Sequence, residues 1–164
     1  MDVFASFPQQ IPVSSKPGAG TYKLMPGYYA THGKQPEPAV RDAVQLFNEG
    51  AIAVFKGAPD QATDAAWPDK LSPVYSLVPG GSPAVPTGLV FIRFAEGVPV
   101  DTLKKEIEGA GYEVAESLAY APNAAWLRAR SGEIEDALTG LKALEKLPQV
   151  ESVEPQMLME SARR

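Results

Sequence analysis

The side chains that could do acid–base or nucleophilic chemistry are few. His32 is the only histidine, within Tyr29-Ala30-Thr31-His32-Gly33-Lys34, and the chain has no cysteine. A serine hydrolase needs a base beside its nucleophile and an oxyanion hole, and the chain contains no Gly-x-Ser-x-Gly motif. We therefore interpret His32 as a surface loop residue, and we expect no catalytic residues and no enzyme activity.

Metal and phosphate sites are also disfavoured by residue type and spacing. A single histidine without cysteine excludes the common multi-ligand zinc sites. Asp60, Asp64 and Asp69 are spread among alanines and prolines, which does not give the compact oxygen-ligand loop that calcium prefers. The glycine-rich run at 17–20 lacks the lysine and hydroxyl of a P-loop. The sequence thus predicts no bound metal and no cofactor.

Composition and charge limit which classes of partner the protein can bind and which compartment it is expected in. The chain has 164 residues, 45% of them hydrophobic and 21% charged, with a net charge of −5. These fractions are ordinary for a globular protein, and an acidic chain lacks the field that attracts nucleic acid. The first eight residues carry an acid and no long apolar run. We therefore expect a cytoplasmic protein, as the sequence is written, that binds neither nucleic acid nor membranes.

The second half of the chain has the clearest secondary-structure patterns. Residues 89–94 are almost all apolar, and 112–118 alternate with period two. Residues 124–130 are the predicted return strand after turn residues. Apolar residues at helical spacing follow 101 and again follow 131. Residues 150–154 then form a short last strand. This βαββαβ order predicts a ferredoxin-like domain, with a four-stranded antiparallel sheet and two helices on one face.

The domain organisation follows from the proline- and glycine-rich stretches. We predict an α+β protein, in which a smaller α/β N-terminal unit of unknown type precedes the ferredoxin-like domain. Within the N-terminal unit, residues 38–50 have helical periodicity and 51–55 fit a strand. The predicted boundaries are an extended arm at 1–20, the small unit at 21–78, a linker at 79–88 and the C-terminal domain at 89–164.

Trp126 and Arg128 are the candidate binding residues of the sheet. On their strand the small apolar residues Ala125, Leu127 and Ala129 alternate with them. If the small set faces the helices, Trp126 and Arg128 lie on the open face. Tryptophan and arginine are over-represented at interface centres. Two interpretations stay open, since Trp126 either contacts a partner or packs on the first half of the same chain.

The C-terminal tail is a second candidate. Met157, Leu158 and Met159 are apolar and follow the last strand, and Glu160, Ser161 and Ala162 continue the segment before Arg163 and Arg164. A frayed end is one interpretation. An extended segment that binds a partner's edge is the other.

The C-terminal pattern resembles a known family. Gly111-Tyr112-Glu113-Val114, Asn123-Ala124-Ala125 and the run from Lys146 to Pro155, which reads Lys-Leu-Pro-Gln-Val-Glu-Ser-Val-Glu-Pro, resemble the propeptides of subtilisin-type serine proteases, the inhibitor I9 family. The resemblance covers about residues 88–162. It implies a protein that inhibits a subtilisin-type protease or acts as its intramolecular folding chaperone, with a sheet face packed on the enzyme.

The same resemblance assigns a role to the tail. In that family the C-terminal segment enters the protease cleft as an extended, product-like strand. Carried over by position, Met159 would fill the pocket four residues before the cut and Ala162 would lie at the cut. Arg163 and Arg164 extend past the family's end, which leaves this register open.

Two other functions remain in competition. The chain could be an interaction or assembly module that docks on its own first half, on a copy of itself or on another protein. It could also be a regulatory domain of the ACT type, although Ala95-Glu96-Gly97-Val98-Pro99 is a poor match to the glycine-rich ligand loop. The oligomeric state is not predicted.

Overall fold

The computed structural model describes residues 7–16, 18, 20–32, 45–47, 52–57, 71–78, 81 and 83–159, with the backbone alone at 45–47. The chain divides into two compact units. Unit 1 comprises 1–10, 22–86 and 157–164, and unit 2 comprises 11–21 and 87–156.

Strands dominate the described residues. The described parts of the chain contain nine strands and three short α-helices, with a 3₁₀ turn at Val100–Leu103 before the first helix. The strands are β1 Gln10–Pro12, β2 Thr21–His32, β3 Gln45–Phe47, β4 Ile52–Lys56, β5 Leu71–Val78, β6 Pro83–Phe94, β7 Tyr112–Ser117, β8 Ala124–Ala129 and β9 Val150–Met159; the helices are α1 Lys104–Gly109, α2 Ile134–Thr139 and α3 Leu141–Glu145.

Unit 1 is built on strands in the order β3-β4-β2-β5-β6, of which β6 contributes its first residues. The pair β2–β4 is antiparallel, as are β3–β4 and β5–β6. Ile52-Ala53-Val54-Phe55 is apolar and largely β-branched or aromatic, which suits a strand buried on both faces. Its two faces join separate core clusters, Ile52 and Val54 in one and Ala53 and Phe55 in the other.

Unit 2 has strand order β6-β8-β7, with β9 also pairing with β6. The helices lie over one side of these strands, where α1 contacts β7 and α2 contacts β8. The apolar stripes expected from helical spacing are buried: Val100, Leu103 and Ile107 in the first helical region, and Ile134, Leu138, Leu141 and Leu144 in the second. Burial of these side chains is what stabilises helices this short.

Tyr112 fixes the second helical region onto the sheet. Its ring is 1% exposed, and its hydroxyl donates to the Ala137 carbonyl at 2.5 Å. The ring lies so close to Gly140 that a Cβ there would be 2.8 Å from the phenol oxygen. A larger residue at this position would have to displace the ring. The helix predicted to run unbroken through this region is divided at Gly140 into α2 and α3.

The predicted fold class is wrong. The order of strands and helices expected over 89–154 is present, but the described residues are mostly β and are not a four-stranded ferredoxin-like α+β fold. β6 begins at Pro83 and not at Leu89, and its first part pairs with β5 in unit 1. β9 continues to Met159. The sequence did not reveal these extensions, because prolines at 83, 86 and 155 suggested the ends of strands.

The prediction of an α/β unit in the first half of the chain is also wrong for the residues that the structure describes there. Gln45–Phe47, placed in a predicted helix at 38–50, is a strand paired with β4. The other residues of that helix lie outside the described residues, as do residues 1–6 of the predicted arm at 1–20 and the aspartates Asp60, Asp64 and Asp69. Residues 83–88 of the predicted linker are the first half of β6. No helix in the described part is long and apolar enough to span a membrane.

Candidate functional site: the aromatic–charge face of unit 2

Strand β8 separates its side chains cleanly between two faces. Ala125, Leu127 and Ala129 are buried on the helix side, whereas Trp126 is half-buried and Arg128 is exposed. The structure therefore places the two predicted binding residues together, on the side of the sheet that faces away from the helices. We call this surface the aromatic–charge face and define it by Phe91, Arg93, Glu113, Glu116, Trp126 and Arg128.

An aromatic pair lies at the centre of this face. Phe91 is directly opposite Trp126 in the β6–β8 register, and the two rings meet edge to face with centroids 5.1 Å apart at 63°. The Arg93 guanidinium carbon is 5.6 Å from the Phe91 centroid, within the range of a cation–π interaction. The two packed rings form an apolar patch, and the Arg93 guanidinium lies over the Phe91 ring.

Phe91 and Arg93 were not identified from the sequence. They alternate with Val90, Ile92 and Phe94, which are fully buried, so the period-two pattern of β6 contained the signal. What the sequence lacked was the register that brings Phe91 opposite Trp126.

An ion pair borders the aromatic patch. Arg128 Nε donates to Glu113 Oε2 at 2.5 Å, and the two side chains are 55% and 37% exposed. At that exposure water competes for both charges, so the pair adds little to stability. The contact directs the Arg128 side chain toward Glu113 on β7.

A β-bulge adds a second carboxylate to the face. Glu113 pairs with Arg128 and Glu116 pairs with Trp126, with the register shifting between Val114 and Glu116. Residues three apart on a regular strand point to opposite faces. The inserted residue cancels that alternation, so Glu113 and Glu116 share one face. Glu116 is exposed.

Two hydrogen bonds explain part of the motif at 123–125. Phe94 N–H donates to the Asn123 carbonyl at 2.8 Å, and the Asn123 side-chain amide donates to the Phe94 carbonyl at 2.9 Å. Asn123 thereby fixes the end of β6 beside the start of β8. This sets the register on which the Phe91–Trp126 pair depends.

The tail residues are placed only in part. Met157, Leu158 and Met159 are the last residues of β9, and Leu158 packs against the unit 1 core cluster that contains Ile52 and Val54. These three residues are therefore in ordered strand. Glu160, Ser161 and Ala162 lie outside the described residues, as do Arg163 and Arg164.

His32 is not in a surface loop, contrary to the sequence interpretation. It ends β2 and is half-buried, and its Nε2 is 2.8 Å from the Ser72 hydroxyl. A histidine beside a serine could suggest a nucleophile and its base. Ser72, however, is 0% exposed and donates its proton to the Pro73 carbonyl at 3.1 Å. A substrate cannot reach that hydroxyl, so the contact is structural.

A cleft of about 590 Å³ at one end of unit 2 is lined by Glu108, Tyr112, Arg130, Ser131, Asp136 and Thr139, with 109–111. Ser131 donates to Asp136 at 2.6 Å and accepts the Glu133 N–H at 3.1 Å, so it organises the start of α2. Burial, with a smaller contribution from the Asp136 charge, raises the pKa of Tyr112. That phenol stays protonated at neutral pH, and its proton is held by Ala137.

No group of three or more histidine, cysteine, aspartate or glutamate side chains that could hold a metal ion occurs in the described parts of the chain. Within those parts the aromatic–charge face is thus the strongest candidate for function. Comparisons with protein-family models, with curated proteins and with solved structures find no match to this chain.

Proposed function

We propose that the protein is a non-catalytic binding protein of the subtilase-propeptide kind, which inhibits a subtilisin-type serine protease or assists its folding. The observation that carries the proposal is the Phe91–Trp126 pair, half-buried on the aromatic–charge face with Arg93 above it. The choice of a protease as partner comes from the sequence resemblance around Asn123 and over 146–155.

The chemistry of the face suits a protein partner. Large aromatic side chains and arginine supply most of the energetic anchors of protein interfaces. The Phe91 and Trp126 rings are already packed against each other, so little side-chain entropy is lost when a partner covers them. Arg128 is paired with Glu113, and charged groups of both signs at the rim favour one docking register.

The proposal assigns most of the binding to the sheet face. Met157–Met159 are held in β9, with Leu158 in the unit 1 core. Entry of these residues into a protease cleft would require them to leave that strand and expose Leu158. We therefore expect the tail to add little to affinity, unlike the tail of the family that the sequence resembles.

Titration of a subtilisin-type protease with the protein tests this function. The intact chain is expected to bind and inhibit at micromolar concentration or below. Trp126→Ala is expected to weaken binding by more than about tenfold, because truncation of a central aromatic anchor removes about 2 kcal/mol or more. Tyr120→Ala is the control, since Tyr120 is 86% exposed in the β7–β8 turn. Absence of any binding at micromolar concentration would remove the proposal.

A second function is favoured by one observation. Packing of Leu158 into the unit 1 core fits an interaction module whose C-terminal residues serve its own stability. In that case the aromatic–charge face binds a copy of the chain or a protein other than a protease. Sedimentation of the wild type and the Trp126→Ala variant distinguishes self-association, since a dimer that dissociates in the variant would support this function.

A further inference from the structure

The two edges of the unit 2 strands differ. At β9 the outer edge is bonded at Val153, where the Ser15 N–H donates to the Val153 carbonyl at 3.0 Å and the Ser15 hydroxyl accepts the Val153 N–H at 2.9 Å. β7 ends the strand order on the other side and has β8 as its one strand neighbour in the described residues. An edge strand leaves alternate N–H and carbonyl groups available to another strand.

A cleft runs beside this free edge. It has a volume of about 280 Å³ and is lined by Lys104, Ile107 and Glu108 from α1, Glu113 and Val114 from β7, and Arg128 from β8. Ile107 is buried and Val114 half-buried. These two apolar side chains lie among charged ones. A strand laid along β7 would direct alternate side chains toward the helix side, where Ile107 and Val114 of this cleft lie.

The other side chains of such a strand would lie on the aromatic–charge face, beside Glu113 and Glu116. Glu113 is already paired with Arg128. Glu116 is exposed, and no ion pair reaches it from the described residues. A lysine or arginine opposite Glu116 would make a favourable cross-strand pair.

A second copy of the chain is a poor occupant in the register that overlaps two β7 strands over their full length. Antiparallel pairing of two β7 strands about the centre between Val114 and Ala115 would place Glu113 of each copy opposite Glu116 of the other. Like charges directly opposite each other are destabilising. The bulge makes this worse, because it puts both carboxylates on the same face.

We propose that β7 is a docking edge for an extended segment of a partner protein, which adds antiparallel to Tyr112–Ser117 by backbone hydrogen bonds, the direction that is slightly more stable per residue. The segment has a basic residue opposite Glu116 and an apolar residue over Ile107 and Val114. This is the strand-addition mode of peptide recognition, in which the backbone gives affinity and alternate side chains give specificity. It does not depend on the partner being a protease.

Four capped hexapeptides test the proposal against the intact protein by calorimetry. The first alternates lysine and valine and is expected to bind. Two more have the same side chains and are N-methylated on alternate residues, in the two opposite registers. Only the one whose methyl groups face β7 should lose binding, since the other keeps its bonding edge. The fourth has glutamate in place of lysine and is expected not to bind.

Two variants that each remove one negative charge test whether the peptide binds beside Glu116. Glu116→Gln is expected to weaken binding of the lysine–valine peptide by about two- to fivefold, the range that an exposed ion pair supports. Glu145→Gln removes the same charge from an exposed position on α3 and is expected to leave binding unchanged. Equal effects of the two variants would contradict the assigned position.

Hydrogen exchange distinguishes backbone pairing from charge attraction, because charge attraction alone would not protect the β7 amides. Bound peptide is expected to slow exchange of amides within 112–117 and to leave the amides of β9 unchanged. The proposal is overturned if both N-methylated peptides bind as well as the parent, or if no β7 amide is protected at saturating peptide. Formation of a β7–β7 dimer in the absence of peptide would also overturn it.

Discussion

Tyr75 in unit 1 and Tyr112 in unit 2 are buried tyrosines whose hydroxyls donate to backbone carbonyls, and the two side chains hold different kinds of structure. In unit 1, Tyr75 on β5 donates at 2.6 Å to Pro8, 67 residues earlier and half-buried. In unit 2, Tyr112 on β7 donates at 2.5 Å to Ala137 within α2. Tyr75 thus secures an extended segment, whereas Tyr112 secures a helix inside a packed core. The same bond should matter more where its acceptor has no access to water.

Among the variants that test this comparison, Gly140→Ala is expected to lower the free energy of unfolding the most. The added Cβ would lie 2.8 Å from the Tyr112 hydroxyl oxygen and 3.0 Å from Cε1. The ring cannot easily move, because it is buried and its hydroxyl is bonded to Ala137. Overpacking of this kind lowers the free energy of unfolding by about 1–3 kcal/mol. Denaturant unfolding measures it.

Gly109→Ala is the matched control for that variant. Gly109 is the last residue of α1, and a Cβ there would meet no atom within 4 Å. Alanine is favoured over glycine in helices, so stability should stay level or rise by up to about 1 kcal/mol. If both variants lose stability equally, the contact between Gly140 and Tyr112 is not what Gly140 serves.

Removal of each hydroxyl tests the comparison directly. Tyr112→Phe leaves the Ala137 carbonyl without its side-chain donor in the core, and we expect a loss of about 1–2 kcal/mol. Tyr75→Phe is expected to lose less, because water can reach the half-buried Pro8. Equal losses in denaturant unfolding would show that solvent access to the acceptor is not the deciding difference.

The double variant Tyr112→Phe with Gly140→Ala sharpens the result for unit 2. The phenol oxygen is the atom nearest to the added Cβ, and phenylalanine lacks it. The two losses should therefore sum to more than the loss in the double variant. Strict additivity would mean that the backbone, and not the ring, absorbs the added methyl group.

Alkaline pH should lower the stability that each buried tyrosine contributes to its unit. Burial raises the pKa of Tyr75 and of Tyr112 well above the ordinary value of about 10. The folded state therefore prefers the protonated phenols. Their contribution is fully present below about pH 10 and is lost as the pH rises from there toward the folded-state pKa values. Each Tyr→Phe variant should show a smaller loss of stability above pH 10 than the wild type.

The units also differ in how far sequence reasoning reached. Unit 2 is made of elements whose signals are local. Ile107 and Leu138 lie in helical stripes, and Trp126 and Arg128 alternate with buried residues, so their placement on a shared face could be predicted. The bulge that moves Glu116 onto that face breaks the period of two. The Tyr112 ring lies against Gly140, where the second helical region is divided, and no local pattern contains that contact.

In unit 1 the informative contacts are distant in sequence. Leu158 joins a core formed by residues such as Ala30, Ile52 and Val74, more than eighty positions earlier. From the sequence alone an apolar tail is equally consistent with a free end. Phe47 fitted a helical stripe with Val40 and Val44, yet its backbone pairs with Ile52. Periodicity reports which residues are apolar together, and pairing partners outside the window decide the element.

The exposed pair Glu113–Arg128 is expected to contribute less to the free energy of unfolding than either buried tyrosine hydrogen bond. It lies on the same strand pair as Tyr112 but on the aromatic–charge face, where the two side chains are 37% and 55% exposed. Water already solvates both charges, so a double-mutant cycle to alanine should give a coupling of about 0.2–1 kcal/mol at low salt. The coupling should fall further at 1 M salt, where the screening length is about 3 Å. A coupling as large as that expected for the Tyr112–Ala137 bond would mean that the pair is shielded from solvent.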